Sequence, residues 1–290
     1  MIAAMEGFDP TALAAARNHQ AARTFSPDHG SRHSQMTPRP AASSPHLGEP
    51  DDLPQDVQGR ALFFDVDGTL VDIADRPDGV VVPEGLAAAL ARLERRLGGA
   101  MALITGRSVA VVEGLFPGFP VALAGLHGAE WRQGGEVTRP EATPAFVAGR
   151  ERLRGALAAL PGTIFEDKGV AFAAHYRLAP TQEATVARLM AEIAAEVGEG
   201  WQIQPGKAVI ELRPAGRSKG DALAAFMAAA PFAGRRPLAF GDDVTDEAMF
   251  RAALAAGGDA CLIGPPRETV ARHRLPSPAA LRDWIARAAA

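Results

Sequence analysis

From residue 60 onwards, the chain alternates short apolar runs with longer segments in which apolar residues recur every three or four positions. Short apolar runs between turn residues indicate buried strands of a parallel sheet, and the periodic segments indicate helices. The pattern predicts strands over 60–66, 100–105, 121–124, 237–241 and 259–263, and helices over 83–97, 108–115, 219–229, 246–254 and 278–289. This alternation predicts an α/β fold in which helices cover both faces of a parallel sheet.

Residues 140–213 interrupt this alternation with a different pattern. A helix is predicted over 144–160, followed by strand-like runs over 163–166 and 170–177; a second helix over 181–197 precedes runs over 201–204 and 208–213. An αββ unit that appears twice predicts an antiparallel sheet with its helices on one face. We therefore expect a core domain formed by 59–139 and 214–290, and an inserted α+β cap domain formed by 140–213 that covers the active site.

The segment before residue 59 differs from the rest in composition. It is polar and rich in proline and serine, with little apolar surface to bury, and this predicts a disordered N-terminal tail over 1–58. Acidic residues at Glu6 and Asp9 and the lack of a continuous apolar stretch argue against a signal peptide.

Composition and charge narrow the class of protein. The formal net charge of -4 argues against a general nucleic-acid binder, and the chain is 47% hydrophobic and 22% charged, as in ordinary globular proteins. The lone cysteine, Cys261, excludes an internal disulfide and fits a reducing compartment. No apolar run approaches the roughly 20 residues that span a bilayer. We expect a cytoplasmic protein with neither a nucleic-acid nor a membrane partner.

The first candidate motif follows the strand over 60–66. Asp65 and Asp67 are two residues apart and precede Gly68, at the strand end where ligands of open α/β sheets bind. Residues two apart in an extended segment face the same side, so both carboxylates can address one pocket. One carboxylate can attack phosphorus and the other can act as the general acid and base. The alternative is an Asp-Gly turn that merely ends the strand.

Two further strand ends or helix starts carry groups that suit a phosphate. Thr105 and Gly106 precede a predicted helix, whose free backbone N–H groups bind anions; the alternative is a simple N-cap at Ser108. Lys219 opens another predicted helix and can neutralise phosphate and orient a carboxylate. Taken alone, a lysine at a helix start is usually solvated surface.

The fourth motif is an acidic cluster after the strand over 237–241. It contains Asp242, Asp243, Asp246 and Glu247, whose charges repel one another unless a cation offsets them or some of them face solvent. Hard oxygen ligands suit Mg²⁺, which usually takes only one or two carboxylates, and Asp242 is the favoured direct ligand. Asp246 and Glu247 can equally be first-turn helix charges.

The order and spacing of these motifs resemble the haloacid dehalogenase (HAD) superfamily of phosphotransferases. The resemblance covers the chain from Arg60 to its C-terminus. It implies a Rossmann-like core with a C2-type cap, an aspartyl-phosphate intermediate on Asp65, and Asp67 as general acid and base. It also implies a phosphate site and a Mg²⁺ site. The phosphate site comprises Thr105, Gly106 and Lys219, and the Mg²⁺ site comprises Asp65, the backbone carbonyl of Asp67, Asp242, Asp243 and Asp246.

Longer strings are similar to those of the trehalose-6-phosphate phosphatase family. These strings are 124–130, 165–169, 175–177, 205–211 and 241–247. The resemblance implies that the substrate is bound by Arg107, His127, Glu130, Glu166, Lys168, Arg177, Lys207 and Glu211. Any one of the cap residues can instead be a solvent-facing side chain or a cross-strand ion pair, and His127 and His175 can be structural histidines.

The resemblance thus implies Mg²⁺-dependent hydrolysis of trehalose 6-phosphate, the last step of trehalose biosynthesis. A phosphatase of another sugar phosphate, such as sucrose 6-phosphate, remains an alternative, as does a sugar-phosphate sensor without activity. The resemblance also makes trehalose-6-phosphate synthase a candidate partner, but the sequence does not establish that the two proteins bind.

Overall fold

The computed structural model describes residues 53–74, 79–133 and 135–290. These residues form two β-sheets. The large sheet has eight strands in the order β12-β11-β10-β1-β2-β3-β4-β5, and the small sheet has four in the order β6-β7-β9-β8. From β12 to β3 all neighbours in the large sheet are parallel, whereas β4 and β5 are antiparallel additions at one edge. Every pair in the small sheet is antiparallel.

The strands of the large sheet are β1 (Arg60–Phe64), β2 (Met101–Ile104), β3 (Ala122–Gly125), β4 (Glu130–Gln133), β5 (Glu136–Thr138), β10 (Arg236–Gly241), β11 (Asp259–Ile263) and β12 (His273–Leu275). Those of the small sheet are β6 (Ile164–Asp167), β7 (Phe172–His175), β8 (Trp201–Gly206) and β9 (Val209–Pro214). This confirms the predicted α/β fold with a mostly parallel sheet and a separate antiparallel sheet.

The helices of the described residues are α1 (Leu86–Arg96), α2 (Val109–Leu115), α3 (Pro144–Ala158), α4 (Glu183–Val197), α5 (Lys219–Met227), α6 (Glu247–Ala255) and α7 (Pro278–Ala288). Four of them begin after a serine or threonine N-cap whose oxygen accepts a backbone N–H, namely Ser108, Thr143, Ser218 and Ser277. Such caps satisfy one of the otherwise unpaired donors of the first turn.

Buried aromatic side chains hold the centre of the large sheet. Phe64 and Phe240 lie on the neighbouring strands β1 and β10 and stack with ring centroids 4.7 Å apart. On β1, Phe63 stacks against Phe232 at 5.5 Å. All three strands β1, β2 and β10 are almost fully buried, which explains their continuous apolar sequences. Their carboxyl ends meet at one edge of the sheet, where the polar motifs follow.

The small sheet has its own apolar cluster. Helices α3 and α4 pack together and on this sheet, burying Phe146, Met190 and Ile193 with Phe172 of β7. The ring of Phe146 also stacks on Trp201 at 4.0 Å. A separate cluster of this kind accords with the predicted cap, although the boundaries of the core and cap domains stay a prediction.

Several elements differ from the sequence-based expectations. Strands β4, β5 and β12 were not predicted, because each has only three or four residues and β4 and β5 are polar or exposed. Helix α1 begins at Leu86 rather than at Pro83, because Gly85 has φ 79°, which lies outside the right-handed helical region.

The predicted disordered tail is too long at its C-terminal end. Leu53 and Val57 are buried in the core cluster, and Trp284 Nε1 donates a hydrogen bond to the carbonyl of Pro54. Residues 53–58 therefore belong to the packed part of the chain, while the prediction for residues 1–52 lies outside the described residues.

Within the part of the chain that the structure describes, no helix combines the length and the apolar character needed to cross a membrane.

Candidate active site

One cavity of about 840 Å³ lies where the carboxyl ends of the large-sheet strands face the small sheet. Most of the side chains singled out from the sequence line it. They are Asp65, Asp67, Thr105, Gly106, Arg107, His127, Glu166, Lys168, Arg177, Lys207, Glu211, Lys219, Asp242 and Asp243. The fold thus brings together residues more than 170 positions apart, whereas Glu130 and Asp246 lie behind the cavity wall.

Asp65 lies at the centre of this cavity. Its backbone N–H continues the β1–β10 ladder by donating to the carbonyl of Phe240, so the carboxylate projects from a fixed strand end. Only 5% of Asp65 is exposed. Burial raises the pKa of Asp65 well above its usual range, and the Lys219 ammonium, 2.8 Å from Oδ1, opposes that rise. An isolated Asp-Gly turn does not explain a buried acid paired with a buried lysine.

Lys219 is buried between two carboxylates and is not a solvated surface residue. Its Nζ is 2.8 Å from Asp65 Oδ1 and 2.7 Å from Asp246 Oδ1. Burial lowers the pKa of Lys219, but Asp246 and Asp65 outweigh it and the pKa is raised. Lys219, the first residue of α5, therefore pairs with two acids at once inside the site.

The acids Asp65, Asp242 and Asp246 form a group able to hold a cation. One carboxylate oxygen from each lies within 4.8 Å of the others. Burial, followed by the Asp246 charge, raises the pKa of Asp242 to about 7, and the Lys219 charge opposes that rise. A Cβ on Gly68 would come within 2.2 Å of Asp242 Oδ2, so only glycine lets this carboxylate approach the β1 end.

Two acids of the predicted metal set have other contacts. Asp243 is exposed, and its Oδ1 accepts the Val244 N–H as the cap of a 3₁₀ turn, Val244–Asp246. This side chain is not in the acid group, and its support of the cation stays a prediction. Asp246 uses Oδ2 to accept the N–H groups of Asp242 and Asp243, both at 3.0 Å. Asp246 thus fixes the backbone of the loop that carries Asp242 and Asp243.

Asp67 forms a bidentate ion pair with Arg107. Arg107 Nε donates to Asp67 Oδ2 at 2.6 Å, and Nη2 donates to Oδ1 at 2.7 Å. Burial lowers the pKa of Arg107, but the hydrogen bond and charge of Asp67 outweigh it and the pKa is raised. Both carboxyl oxygens of the second acid of the motif are therefore engaged by Arg107 at the cavity.

The loop that carries Thr105 and Gly106 is held by the short turn that follows β3, Leu126–Gly128. His127 N–H donates to the Thr105 carbonyl and Leu126 N–H to the Arg107 carbonyl, both at 2.9 Å. To make these bonds, Leu126 and His127 adopt φ of 48° and 56°, a region that non-glycine residues rarely occupy. Burial, with the charges of Lys219, Arg213 and Lys168, holds the pKa of His127 well below its usual value.

The opposite wall of the cavity comes from the small sheet and carries paired charges. Lys168 Nζ pairs with Glu211 Oε2 and also donates to the Gly106 carbonyl at 3.4 Å. Glu166 Oε2 lies 2.8 Å from His175 Nε2 and 3.8 Å from Lys168 Nζ. Although burial raises the pKa of Glu166, the His175 hydrogen bond and Lys168 outweigh it and lower the pKa.

Within the described residues, Glu211 Oε1 is buried and has no hydrogen-bond partner. Since buried carboxylate oxygens are costly to leave unpaired, this atom is available for a polar ligand in the cavity. Arg177 and Lys207 contribute to the same cavity from exposed positions at the rim of the small sheet.

Glu130 does not lie with the other predicted substrate-binding residues. It is 3% exposed, and its Oε2 accepts the Val109 N–H at 2.8 Å, at the start of α2. The Glu130 carboxylate thus accepts a hydrogen bond inside the protein. Ser108 is the N-cap of α2, as the alternative interpretation of this segment expected. The predicted contact of Glu130 with substrate is not supported.

Three side chains at or near the site were missed from the sequence. Gln204 lines the cavity, and Arg213 donates to its Oε1 at 3.2 Å and to the Arg217 carbonyl at 2.9 Å. Arg267 donates to the carbonyls of Asp242 and Asp243 from a loop after β11. Gln204 lies on β8, Arg213 lies on β9 and Arg267 lies in a loop, and a single polar residue gives no periodic signal by which the pattern could select it.

The fold and this set of strand-end groups define a HAD-like α/β phosphatase class. The family profile described as trehalose-phosphatase matches residues 63–268. The chain belongs to the trehalose-phosphatase family, and it is a phosphatase.

Individual relatives agree with this assignment. The chain is 47% identical over 250 residues to a probable trehalose-phosphate phosphatase of Sinorhizobium fredii, covering 85% of this chain and 94% of that protein. It is 41% identical over 228 residues to the trehalose-6-phosphate phosphatase of Escherichia coli, covering 78% and 85%. The C-terminal domain of the C. albicans trehalose-6-phosphate phosphatase has the same fold, with a TM-score of 0.68 at 24% identity over 79% of this chain and 91% of that domain.

Proposed function

We propose that the protein hydrolyses trehalose 6-phosphate to trehalose and inorganic phosphate through an aspartyl-phosphate on Asp65. The observation that carries this proposal is the pairing of the Asp65 carboxylate with the buried Lys219 in a cavity whose opposite wall is charged. The names of the relatives in Sinorhizobium fredii and Escherichia coli support the choice of substrate.

The proposed reaction has two displacements at phosphorus. Asp65 attacks the phosphorus while the bond to the sugar oxygen breaks, and Asp67 gives that oxygen a proton. Water then attacks the aspartyl-phosphate, Asp67 takes the proton from the water, and the Asp65 carboxylate leaves. Arg107 pairs with both Asp67 oxygens, so the two must separate before Asp67 can exchange a proton with the substrate.

Phosphate would be bound by Thr105, the backbone of Gly106 and Lys219. Asp65, the backbone carbonyl of Asp67 and Asp242 would hold Mg²⁺, with Asp246 fixing the loop beside them. The buried acid group fits a hard divalent cation. When bound, the cation offsets the repulsion between the Asp65 carboxylate and the phosphate dianion and stabilises developing charge.

The sugar hydroxyls would be bound by the small-sheet residues Glu166, Lys168, Glu211, Lys207 and Arg177, with Arg107 and His127 below them. Charged donors and acceptors in a partly water-excluded cavity form strong, directional hydrogen bonds with hydroxyls. The unpartnered Oε1 of Glu211 is the acceptor that supports this assignment most directly.

Glu211→Ala should weaken action on trehalose 6-phosphate much more than on a small aryl phosphate. Loss of a charged hydrogen bond to substrate costs about 1.5–3 kcal/mol, which corresponds to roughly 10- to 100-fold in kcat/KM. The aryl phosphate reaches Asp65 without needing the sugar contacts, so its kcat/KM should change little. Both constants are measured by phosphate release.

Glu136→Ala serves as the matched control, because Glu136 is an exposed glutamate on the edge strand β5. It should leave both substrates unaffected. Equal losses of kcat/KM on the two substrates in Glu211→Ala would show that Glu211 does not bind the sugar.

The function as a whole is tested by phosphate release from a panel of sugar phosphates, with and without EDTA. Trehalose 6-phosphate should give the highest kcat/KM, and EDTA should remove most of the activity until excess Mg²⁺ is added. Preference for another sugar phosphate, such as sucrose 6-phosphate, would correct the substrate. Absence of phosphate release from every sugar phosphate would favour the sensor alternative.

A further inference from the structure

The loop that carries Asp242 is not held by regular secondary structure. It leaves β10 at Gly241, where an added Cβ would come within 2.3 Å of Asp246 Cγ, and it enters a short 3₁₀ turn. From the protein interior, Asp246 Oδ2 accepts the N–H groups of both Asp242 and Asp243. One carboxylate oxygen therefore fixes the donors of two consecutive peptide units.

The carbonyls of the same two residues are held from the other side by Arg267. Its Nε donates to the Asp242 carbonyl at 3.1 Å, and its Nη2 donates to the Asp243 carbonyl at 2.8 Å. Together, Asp246 and Arg267 engage all four backbone polar groups of Asp242 and Asp243. The direction of the Asp242 side chain is thus set by two charged side chains, one on each side of the loop.

Arg267 is itself oriented by Glu247, the first residue of α6. Arg267 Nη1 donates to Glu247 Oε1 at 2.6 Å, and Glu247 Oε2 accepts the Val270 N–H at 3.1 Å. Glu247 is 8% exposed and the Arg267 side chain is 24% exposed, so the pair is partly shielded from water. An arginine held by a buried acid in this way is a rigid support for the carbonyls that it binds.

We propose that Arg267 is a positioning residue for the cation site, acting through Asp242. Its hydrogen bonds reach the backbone carbonyls of Asp242 and Asp243 and fix the peptide units from which the Asp242 carboxylate projects. This inference rests on the proposed function, because it assumes that the Asp242 carboxylate binds the cation. Partners behind a metal ligand typically change metal affinity by 10- to 100-fold when removed.

The test measures Mg²⁺ binding to the full chain by isothermal titration calorimetry, without substrate, together with the unfolding temperature. Arg267→Gln should weaken Mg²⁺ binding at least tenfold. Arg132→Gln is a closely matched control: Arg132 Nη1 pairs with Glu113 at 3.0 Å, and Nη2 donates to the Phe119 and Val121 carbonyls at 2.9 and 2.8 Å. It lies outside the cavity, so its loss should lower stability and leave Mg²⁺ affinity unchanged.

Unchanged Mg²⁺ affinity in a folded Arg267→Gln, or an equal loss of affinity in Arg132→Gln, would overturn the inference. If Arg267→Gln fails to fold, Glu247→Gln replaces it, since that variant keeps Arg267 and removes the charge of the carboxylate that orients it and that accepts the Val270 N–H. Glu247→Gln should weaken Mg²⁺ binding by a smaller factor, and no change would also overturn the inference. Failure of the wild-type chain to bind Mg²⁺ would instead refute the cation site of the proposed function.

Discussion

Asp65→Asn should lower kcat by about 10⁴-fold or more on trehalose 6-phosphate, while the protein remains folded. An amide has the shape of the carboxylate but cannot form the aspartyl-phosphate, so the first displacement is lost. The amide oxygen can still accept a hydrogen bond from Lys219, whose Nζ lies 2.8 Å from Asp65 Oδ1. Since Asp246, 2.7 Å from Lys219 Nζ, still compensates the lysine, the free energy of unfolding should change by less than about 2 kcal/mol. Single-turnover phosphate release and thermal unfolding measure these two quantities.

Asp72→Asn is the control for an aspartate-to-asparagine change in the same cavity. The Asp72 side chain lines the cavity, is 70% exposed and pairs with Arg282 Nη2 at 3.3 Å. Its kcat should stay within about threefold of wild type, because exposed pairs contribute little. Near-normal kcat in Asp65→Asn, or an equal loss in Asp72→Asn, would refute the assignment of Asp65 as the nucleophile.

The parallel strands were predictable because burial on both faces leaves a direct trace in the sequence. Strands β1, β10 and β11 are apolar over nearly their whole length, and the structure buries them accordingly. The edge strands β4 and β5 had no such trace. Their residues are partly or fully exposed, and tertiary pairing with β3, rather than apolar alternation, determines them.

The site was predictable where a residue follows a recognisable strand end. Asp65, Thr105 and Asp242 all do so, and all three line the cavity. The contacts of a charged residue were not predictable, because they depend on distant parts of the chain. Glu130 illustrates this: its segment suggested a substrate contact, yet its carboxylate accepts an N–H from Val109, 21 positions earlier.

Lys219→Met should lower both the free energy of unfolding and kcat. Among the single changes considered in this cavity, it is the one for which we expect both losses. The variant leaves the carboxylates of Asp65 and Asp246 without the cation that lies 2.8 and 2.7 Å from them. Removing one partner of a buried ion pair costs about 3–5 kcal/mol, because the remaining charge stays buried. Denaturant unfolding in EDTA measures this loss, and phosphate release should show at least a 100-fold fall in kcat, as the phosphate also loses its buried cation.

A lysine at the cavity rim provides the control for the loss of a lysine that has no buried ion pair. Lys207→Met removes an exposed side chain of the same cavity, so the free energy of unfolding should stay within about 0.5 kcal/mol of wild type. The double variant Lys219→Met/Asp246→Asn should be less destabilised than the sum of its single changes, because each removes a charge that the other leaves uncompensated. Additive losses would mean that Lys219 and Asp246 stabilise the fold independently, and that the lysine does not neutralise the acids on which the Asp65 chemistry depends.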